Sequence, residues 1–125
     1  MRDDEISEVE ISELIGKTFS KVKKTDNELL FLRPLGDGFK FFHEQDCCES
    51  VYIDDVVGDL NDLVGSPILQ AEEISSEGFE AKDKEFDESF TWTFYKFATI
   101  KGSVTVKWYG SSNGNYSEAV DFKRI

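Results

Sequence analysis

The chain has 125 residues, of which 14 are basic and 26 acidic, and its formal net charge is −12 at pH 7. This length predicts a single domain over residues 1–125 with a hydrophobic core. The acid excess, without a concentrated basic stretch, argues against direct nucleic-acid binding. The sequence has no apolar run long enough to cross a membrane, and no signal-peptide segment follows Met1. We therefore expect a cytoplasmic protein, with no membrane contact, whose cysteines are reduced thiols.

The first part of the chain predicts a short helix followed by three strands. Residues 1–5 are expected to be frayed. Ser7 and Glu10 have the spacing of a capping box, and Gly16 can end the short N-terminal helix that follows. Apolar and alternating segments then predict strands at residues 19–24, 28–33 and 39–44.

The rest of the chain predicts more strands around a second short helix. Asp59 can cap a helix near residues 59–64, the acidic residues 75–88 predict an exposed loop, and Lys101-Gly102 suits a two-residue hairpin turn. Strands are predicted around residues 47–56, 68–74, 90–95, 104–109 and 120–122. These elements predict an α+β, mainly β fold, in which an antiparallel meander of seven or eight strands forms a curved sheet or a partly open barrel.

The stretch from His43 to Glu49 holds the only histidine and both cysteines of the chain. A zinc site needs about four converging ligands, whereas adjacent Cys47 and Cys48 in a strand would point to opposite faces. Carboxylates such as that of Asp46 oppose the thiolate that cysteine–histidine catalysis requires. We therefore predict no metal site and no cofactor. Two interpretations stay open, in which this stretch either contacts a ligand or consists of a satisfied histidine and packed thiols.

A second polar stretch runs from Gly110 to Ser117. Asn113-Gly114 is a strong turn dipeptide, so one interpretation is a simple connection between strands. The stretch is longer than such a turn needs, and its hydroxyl and amide groups, together with Tyr116, suit hydrogen bonding and stacking with a polar, planar ligand. Both interpretations stay open.

The two stretches belong to a longer pattern. His43-x-x-Asp46-Cys47-Cys48-Glu49-x-Val51 is followed by Val57-Gly58-Asp59-Leu60, Leu63-x-Gly65, Trp92-x-Phe94-Tyr95 and Trp108-Tyr109-Gly110-x-Ser112-Asn113-Gly114-x-Tyr116-Ser117. Over residues 11–122 this combination resembles a family of small bacteriophage and prophage proteins, although Asn115 stands where that family would place an aromatic residue. The resemblance implies an intracellular phage-type protein that acts by binding, with no established activity.

The favoured hypothesis is a non-enzymatic binding protein that sequesters a small polar ligand, for which a nucleotide-like compound is one option, as a phage counter-defence factor. Its pocket is expected between the two polar stretches, with Trp92 or Trp108 as an aromatic wall. The predicted ligand-binding residues are His43, Asp46, Cys47, Glu49, Trp108, Ser112, Asn113, Tyr116 and Ser117.

The alternative hypothesis is an acidic inhibitor or nucleic-acid mimic that blocks a basic groove on a host protein. It rests on residues 43–62, which carry seven acids and no basic residue, and on residues 72–88, which carry eight acids and two lysines. An enzyme that uses His43 with a cysteine ranks last. The protein is expected to be a monomer or a homodimer, since an exposed sheet edge could support a dimer but nothing in the sequence requires one.

Overall fold

The computed structural model describes residues 10–45, 47–74, 81–82 and 88–125. In these residues the chain forms eight strands and two short 3-10 helices, at Ile11–Leu14 and Leu60–Leu63. The strands are β1 (Lys21–Lys24), β2 (Glu28–Leu32), β3 (Gly38–Phe42), β4 (Ser50–Val57), β5 (Gln70–Ile74), β6 (Ser89–Thr99), β7 (Gly102–Ser112) and β8 (Asp121–Arg124).

The strands divide between two four-stranded antiparallel sheets. The first sheet has the order β1-β2-β3-β8, and the second has the order β4-β7-β6-β5. The prediction of a mainly β, α+β fold built from antiparallel strands is confirmed. The described strands form two separate sheets and close no barrel.

The inner faces of the two sheets pack together through aromatic side chains. The ring of Phe31 on β2 lies 5.1 Å from that of Phe97 on β6, and the ring of Phe41 on β3 lies 4.8 Å from that of Tyr95 on β6, measured between centroids. Phe31, Phe41 and Phe97 are fully buried. Burial of each such ring contributes about 1.5–3 kcal/mol to the free energy of folding, so the contact between the sheets is a principal source of stability.

Two connections carry the chain from one sheet to the other, and both lie at the same end of the molecule. Residues 43–49 leave the first sheet after β3 and enter the second at β4. Residues 113–120 leave the second sheet after β7 and return to the first at β8. The first polar stretch is therefore one of these connections, whereas the second stretch, expected to be a loop from Gly110, forms the end of β7 up to Ser112 and then the first part of the other connection.

The two short helices were predicted with different accuracy. Asp59 caps the second one, because its side chain accepts a hydrogen bond of 2.9 Å from the backbone N–H of Asn61. The first one begins at Ile11 without a side-chain cap, and the predicted cap Ser7 lies outside the described residues. Neither of these helices has the length and apolar character needed to span a membrane.

Tyr95 provides a test of the packing between the sheets. Burial raises the pKa of its hydroxyl well above the ordinary value, and the carboxylates of Glu73 and Asp121 raise it further. In the unfolded chain this hydroxyl ionises near pH 10, so unfolding above that pH releases a proton that the folded state retains. We expect the free energy of unfolding to fall above about pH 10, by up to about 1.4 kcal/mol per pH unit from this group.

The measurement is urea unfolding of the native protein and of Tyr95→Phe from about pH 9 to about pH 11. The phenylalanine keeps the ring contacts and removes the titrating hydroxyl, so its stability should fall less steeply. Equal slopes for the two proteins would contradict the burial of this hydroxyl.

Candidate functional site

His43 and Glu49 form a buried pair at the end of the molecule where the chain changes sheets. Their side chains are 4% and 0% exposed, and Nε2 of His43 lies 2.8 Å from Oε2 of Glu49. The other ring nitrogen, Nδ1, lies 2.8 Å from the carbonyl oxygen of Ala119. A carbonyl oxygen can only accept, so Nδ1 carries a hydrogen.

Glu49 also forms hydrogen bonds with the residues that precede it in the chain. The backbone N–H of Cys47 donates to Oε1 of Glu49 over 3.0 Å. The side-chain amide of Gln45 donates to the backbone carbonyls of Cys47 and Glu49, over 3.2 and 2.6 Å. These bonds tie Gln45, Cys47 and Glu49 to one another, and His43 links them to Ala119 in the other connection.

The structure corrects the prediction for the cysteines. Cys47 and Cys48 are joined by a disulfide, so the expectation of reduced thiols is wrong. Both residues are exposed, so the interpretation as packed small side chains is wrong as well. The rule that adjacent side chains point to opposite faces holds within a strand. It does not apply here, because β4 begins only at Ser50 and the cysteines lie in a bend before it.

The second connection is held by its own hydrogen bonds. The buried Ser112 hydroxyl donates to Oε2 of Glu118 over 2.6 Å and accepts from the N–H of Gly114 over 3.0 Å. The side chain of Asn113 accepts from the N–H of Asn115 over 3.0 Å. Thr91 on β6 donates to Oε1 of Glu118 over 2.8 Å, which fixes the connection against the second sheet.

A polar cleft of about 280 Å³ lies where residues 48–50 meet residues 111–113. Its walls carry carboxylate, hydroxyl and amide groups beside the disulfide. The lining residues are Cys48, Glu49, Ser50, Glu88, Ser111, Ser112 and Asn113.

Three of the predicted site residues line this cleft, namely Glu49, Ser112 and Asn113. Cys47, Tyr116 and Ser117 belong to the two connections but do not line it. His43 is bonded to Glu49 and is buried, and Asp46 lies outside the described residues.

Trp108 lies elsewhere. Its side chain is 1% exposed and belongs to the core, because it points inward from β7 together with Val104 and Val106. It therefore forms no wall of the cleft. Trp92 is on the outer face of the same sheet, where its ring lies 4.6 Å from that of Tyr109.

Four lining residues were not predicted: Cys48, Ser50, Glu88 and Ser111. Ser50 and Ser111 are directly paired across β4 and β7, so their side chains lie next to each other on one face. The sequence contains a signal for this pair, because alternation along β7 places Ser111 on the face opposite Trp108. The pairing of Ser111 with Ser50 is long-range, and no local pattern indicates it.

The described residues hold no group of three histidine, cysteine, aspartate or glutamate side chains arranged to bind a metal ion. The ring nitrogens of His43 both have partners within the fold. The arrangement at this end of the molecule therefore offers hydrogen-bonding groups on the wall of a cleft, with a buried histidine–glutamate pair behind them.

The sequence matches a protein family over residues 12–122, which include both connections and all eight strands except the end of β8. The chain belongs to the family described as a domain of unknown function, DUF7448. No curated protein matches this DUF7448 domain, and no solved structure matches it. The residues that line the cleft and the buried His43–Glu49 pair all lie within the range that matches the family.

Proposed function

We propose that this DUF7448 domain is a non-enzymatic binding protein that holds a small polar ligand in the cleft between its two connections. The observation that supports this proposal is that both polar stretches of the sequence contribute to one concave surface, through Glu49 from the first and Asn113 from the second. A volume of about 280 Å³ is close to the lower end of the range for small-molecule sites.

The lining suggests the chemistry of the ligand. Glu88 supplies an exposed carboxylate, and Ser50, Ser111 and Asn113 supply hydroxyl and amide groups, whereas the Glu49 carboxylate is buried and bonded within the fold. Carboxylates accept hydrogen bonds and repel phosphate groups. The preferred ligand is therefore rich in donors and carries no phosphate, which favours a nucleobase or nucleoside over a nucleotide.

An aromatic ring beside the cleft supports a planar ligand. Phe90 is paired with Ser111 across β6 and β7, and it is 37% exposed. Since directly paired residues lie on the same face of a sheet, this ring borders a cleft-lining hydroxyl. A planar compound in the cleft can stack on it.

The buried pair supports binding rather than catalysis. A general base must have an accessible nitrogen or oxygen within reach of the substrate. Both nitrogens of His43 are engaged and its side chain is 4% exposed. The pair acts as a support for the cleft wall, and the resemblance to small phage and prophage proteins makes sequestration of a host compound, as a counter-defence factor, the favoured biological role.

The acidic inhibitor ranks second, because the described acids of residues 43–62 and 72–88 do not lie together on one exposed face. Glu49 is buried, and Asp54 is paired with Lys82, whose pKa this hydrogen bond raises. Exposed Asp55 lies on β4 while Glu72 lies on β5, and these strands are the opposite edges of the second sheet. A single acidic face needs these groups side by side.

Calorimetric titration with a library of nucleobases, nucleosides and their phosphates tests the proposal. Ser111→Leu removes a hydroxyl and fills the cleft, and we expect it to weaken binding of the identified ligand at least about tenfold. Ser103→Leu is the matched control, because Ser103 is exposed on the same face of β7, roughly 26 Å away at about 3.3 Å per residue. It should change the affinity less than about twofold.

Two results would contradict the proposal. The first is the absence of binding across the whole library. The second is a ligand whose affinity falls equally in Ser111→Leu and Ser103→Leu, since such a ligand would bind outside the cleft. Tighter binding of the phosphorylated compounds would exclude the donor-rich ligand argued above.

A further inference from the structure

A row of lysines crosses the outer face of the first sheet. The strand register aligns Lys23 on β1, Leu30 on β2, Lys40 on β3 and Lys123 on β8. The neighbouring row contains Leu29 and Phe41, which are paired and fully buried, so this row faces the core. Side chains alternate between the two faces of a sheet, so the lysine row points away from the core.

Apolar groups lie between these lysines. The ammonium groups of Lys40 and Lys123 lie 4.9 and 5.2 Å from the ring centroid of Phe42, which is half-buried on the same outer face. Leu30 and Leu32 are also half-buried there. The face is therefore a mixed surface of lysine ammonium groups and apolar side chains.

The charge of this face contrasts with that of the whole chain. Lys21, Lys23, Lys40 and Lys123 lie on it together with the acids Glu28 and Asp121, whereas the formal net charge of the chain is −12. Lys40 is paired with Glu28 at 3.3 Å. Among the described residues, Lys21, Lys23 and Lys123 take part in no ion pair.

Distance screens this face from the acids of the other sheet. Stacked sheets are about 10 Å apart, and the Debye length is about 8 Å at physiological salt. A partner that contacts the first sheet therefore meets the local lysines more strongly than the distant acids. The second sheet packs on the inner face of the first sheet, so it does not cover the strands of the first sheet on their outer face.

We propose that the outer face of the first sheet docks an acidic segment of a partner protein, with apolar side chains between its carboxylates. Charge complementarity supplies the attraction, and Leu30, Leu32 and Phe42 supply apolar contact. Single-stranded nucleic acid fits less well, because stacking needs a free aromatic platform. Phe42 is the ring that these four strands place on the face, and two lysines already lie over it.

The test uses the full chain, labelled with ¹⁵N, and two short synthetic peptides. One peptide alternates glutamate with leucine, and the other alternates glutamate with serine. We expect the first to shift the amide resonances of Lys23, Leu30, Lys40 and Lys123 selectively, and to bind at least about fivefold more tightly than the second. Resonances at the cleft should stay unchanged, so the result is independent of the proposed function.

Charge reversal provides the matched comparison. Lys23→Glu with Lys123→Glu should weaken binding of the glutamate–leucine peptide about tenfold. Lys24→Glu is the control, because Lys24 is exposed on the same strand but points to the opposite face of the sheet, and it should change the affinity less than about twofold. Thermal unfolding establishes that each variant is folded.

Several results would overturn the inference. One is the absence of peptide binding, and another is a set of shifted resonances that maps outside this face. Equal affinities of the double variant and Lys24→Glu would have the same consequence. A single-stranded oligothymidylate that binds more tightly than the glutamate–leucine peptide would exclude an acidic protein segment as the preferred partner.

Discussion

His43→Phe is expected to lower the free energy of unfolding by about 3–5 kcal/mol. The substitution leaves the Glu49 carboxylate in a fully buried position without its imidazole partner, and it also removes the hydrogen bond to the carbonyl of Ala119. A domain of this size is stable by only about 5–15 kcal/mol, so the loss is a large part of the total. Urea unfolding followed by tryptophan fluorescence, to which Trp92 and the buried Trp108 both contribute, measures it.

Four further variants, among them Glu49→Leu alone, separate the loss of the pair from a general loss of stability. His43→Phe combined with Glu49→Leu should be more stable than the sum of the two single changes predicts, because the double variant leaves no unpaired buried charge. Glu49→Gln retains a hydrogen bond to a neutral imidazole and should cost about 1 kcal/mol. Glu44→Gln changes an exposed neighbour and should have an effect within about 0.5 kcal/mol. A loss below about 1 kcal/mol in His43→Phe would contradict the buried pair.

Gly38→Ala is expected to have a comparably large effect, of about 3 kcal/mol or more. A methyl group at this position would lie 1.9 Å from the backbone oxygen of Phe31 on the neighbouring strand. A backbone oxygen cannot move without separating β2 from β3. Gly38 also exchanges two backbone hydrogen bonds with Ile125, of 2.8 and 3.1 Å, so the shift would disturb the end of β8 as well.

Gly114→Ala is the matched control for this substitution. Gly114 has a φ of +96°, and no atom lies within 4 Å of a methyl group built there. Its cost is therefore conformational alone, about 1–2 kcal/mol. Urea unfolding of both variants measures the loss in the free energy of unfolding. A loss for Gly38→Ala no greater than that for Gly114→Ala would be incompatible with the close approach of β2 and β3.

Much of the sheet structure is readable from the alternation of side chains. Alternation along residues 104–109 puts Val104, Val106 and Trp108 on one face, and the structure buries all three in the core. The two long strands β6 and β7 are each 11 residues, so their alternation is unambiguous. The hairpin turn is displaced by one residue from the predicted Lys101-Gly102, because Thr99 pairs with Gly102 and the turn is Ile100-Lys101.

The candidate site is less readable, because its contacts join distant parts of the chain. His43 and Ala119 are 76 residues apart, and no local pattern pairs a histidine with a backbone carbonyl so far away. The prediction for Cys47 and Cys48 failed at the boundary of β4, where a strand rule was applied to a bend. Trp108 was predicted as a ligand wall from its residue type, but its place in the alternating pattern already assigned it to the core.

The order in which the strands pair also has a consequence for folding. β8 occupies an edge of the first sheet beside β3, yet four strands of the second sheet separate the two in the chain. Closing a loop of that length is entropically costly and slow, whereas the hairpins β1–β2, β2–β3 and β6–β7 require only short closures. β8 is therefore expected to dock last. The bond between His43 and Ala119 then forms with it, so burial of the histidine would mark the final step of folding.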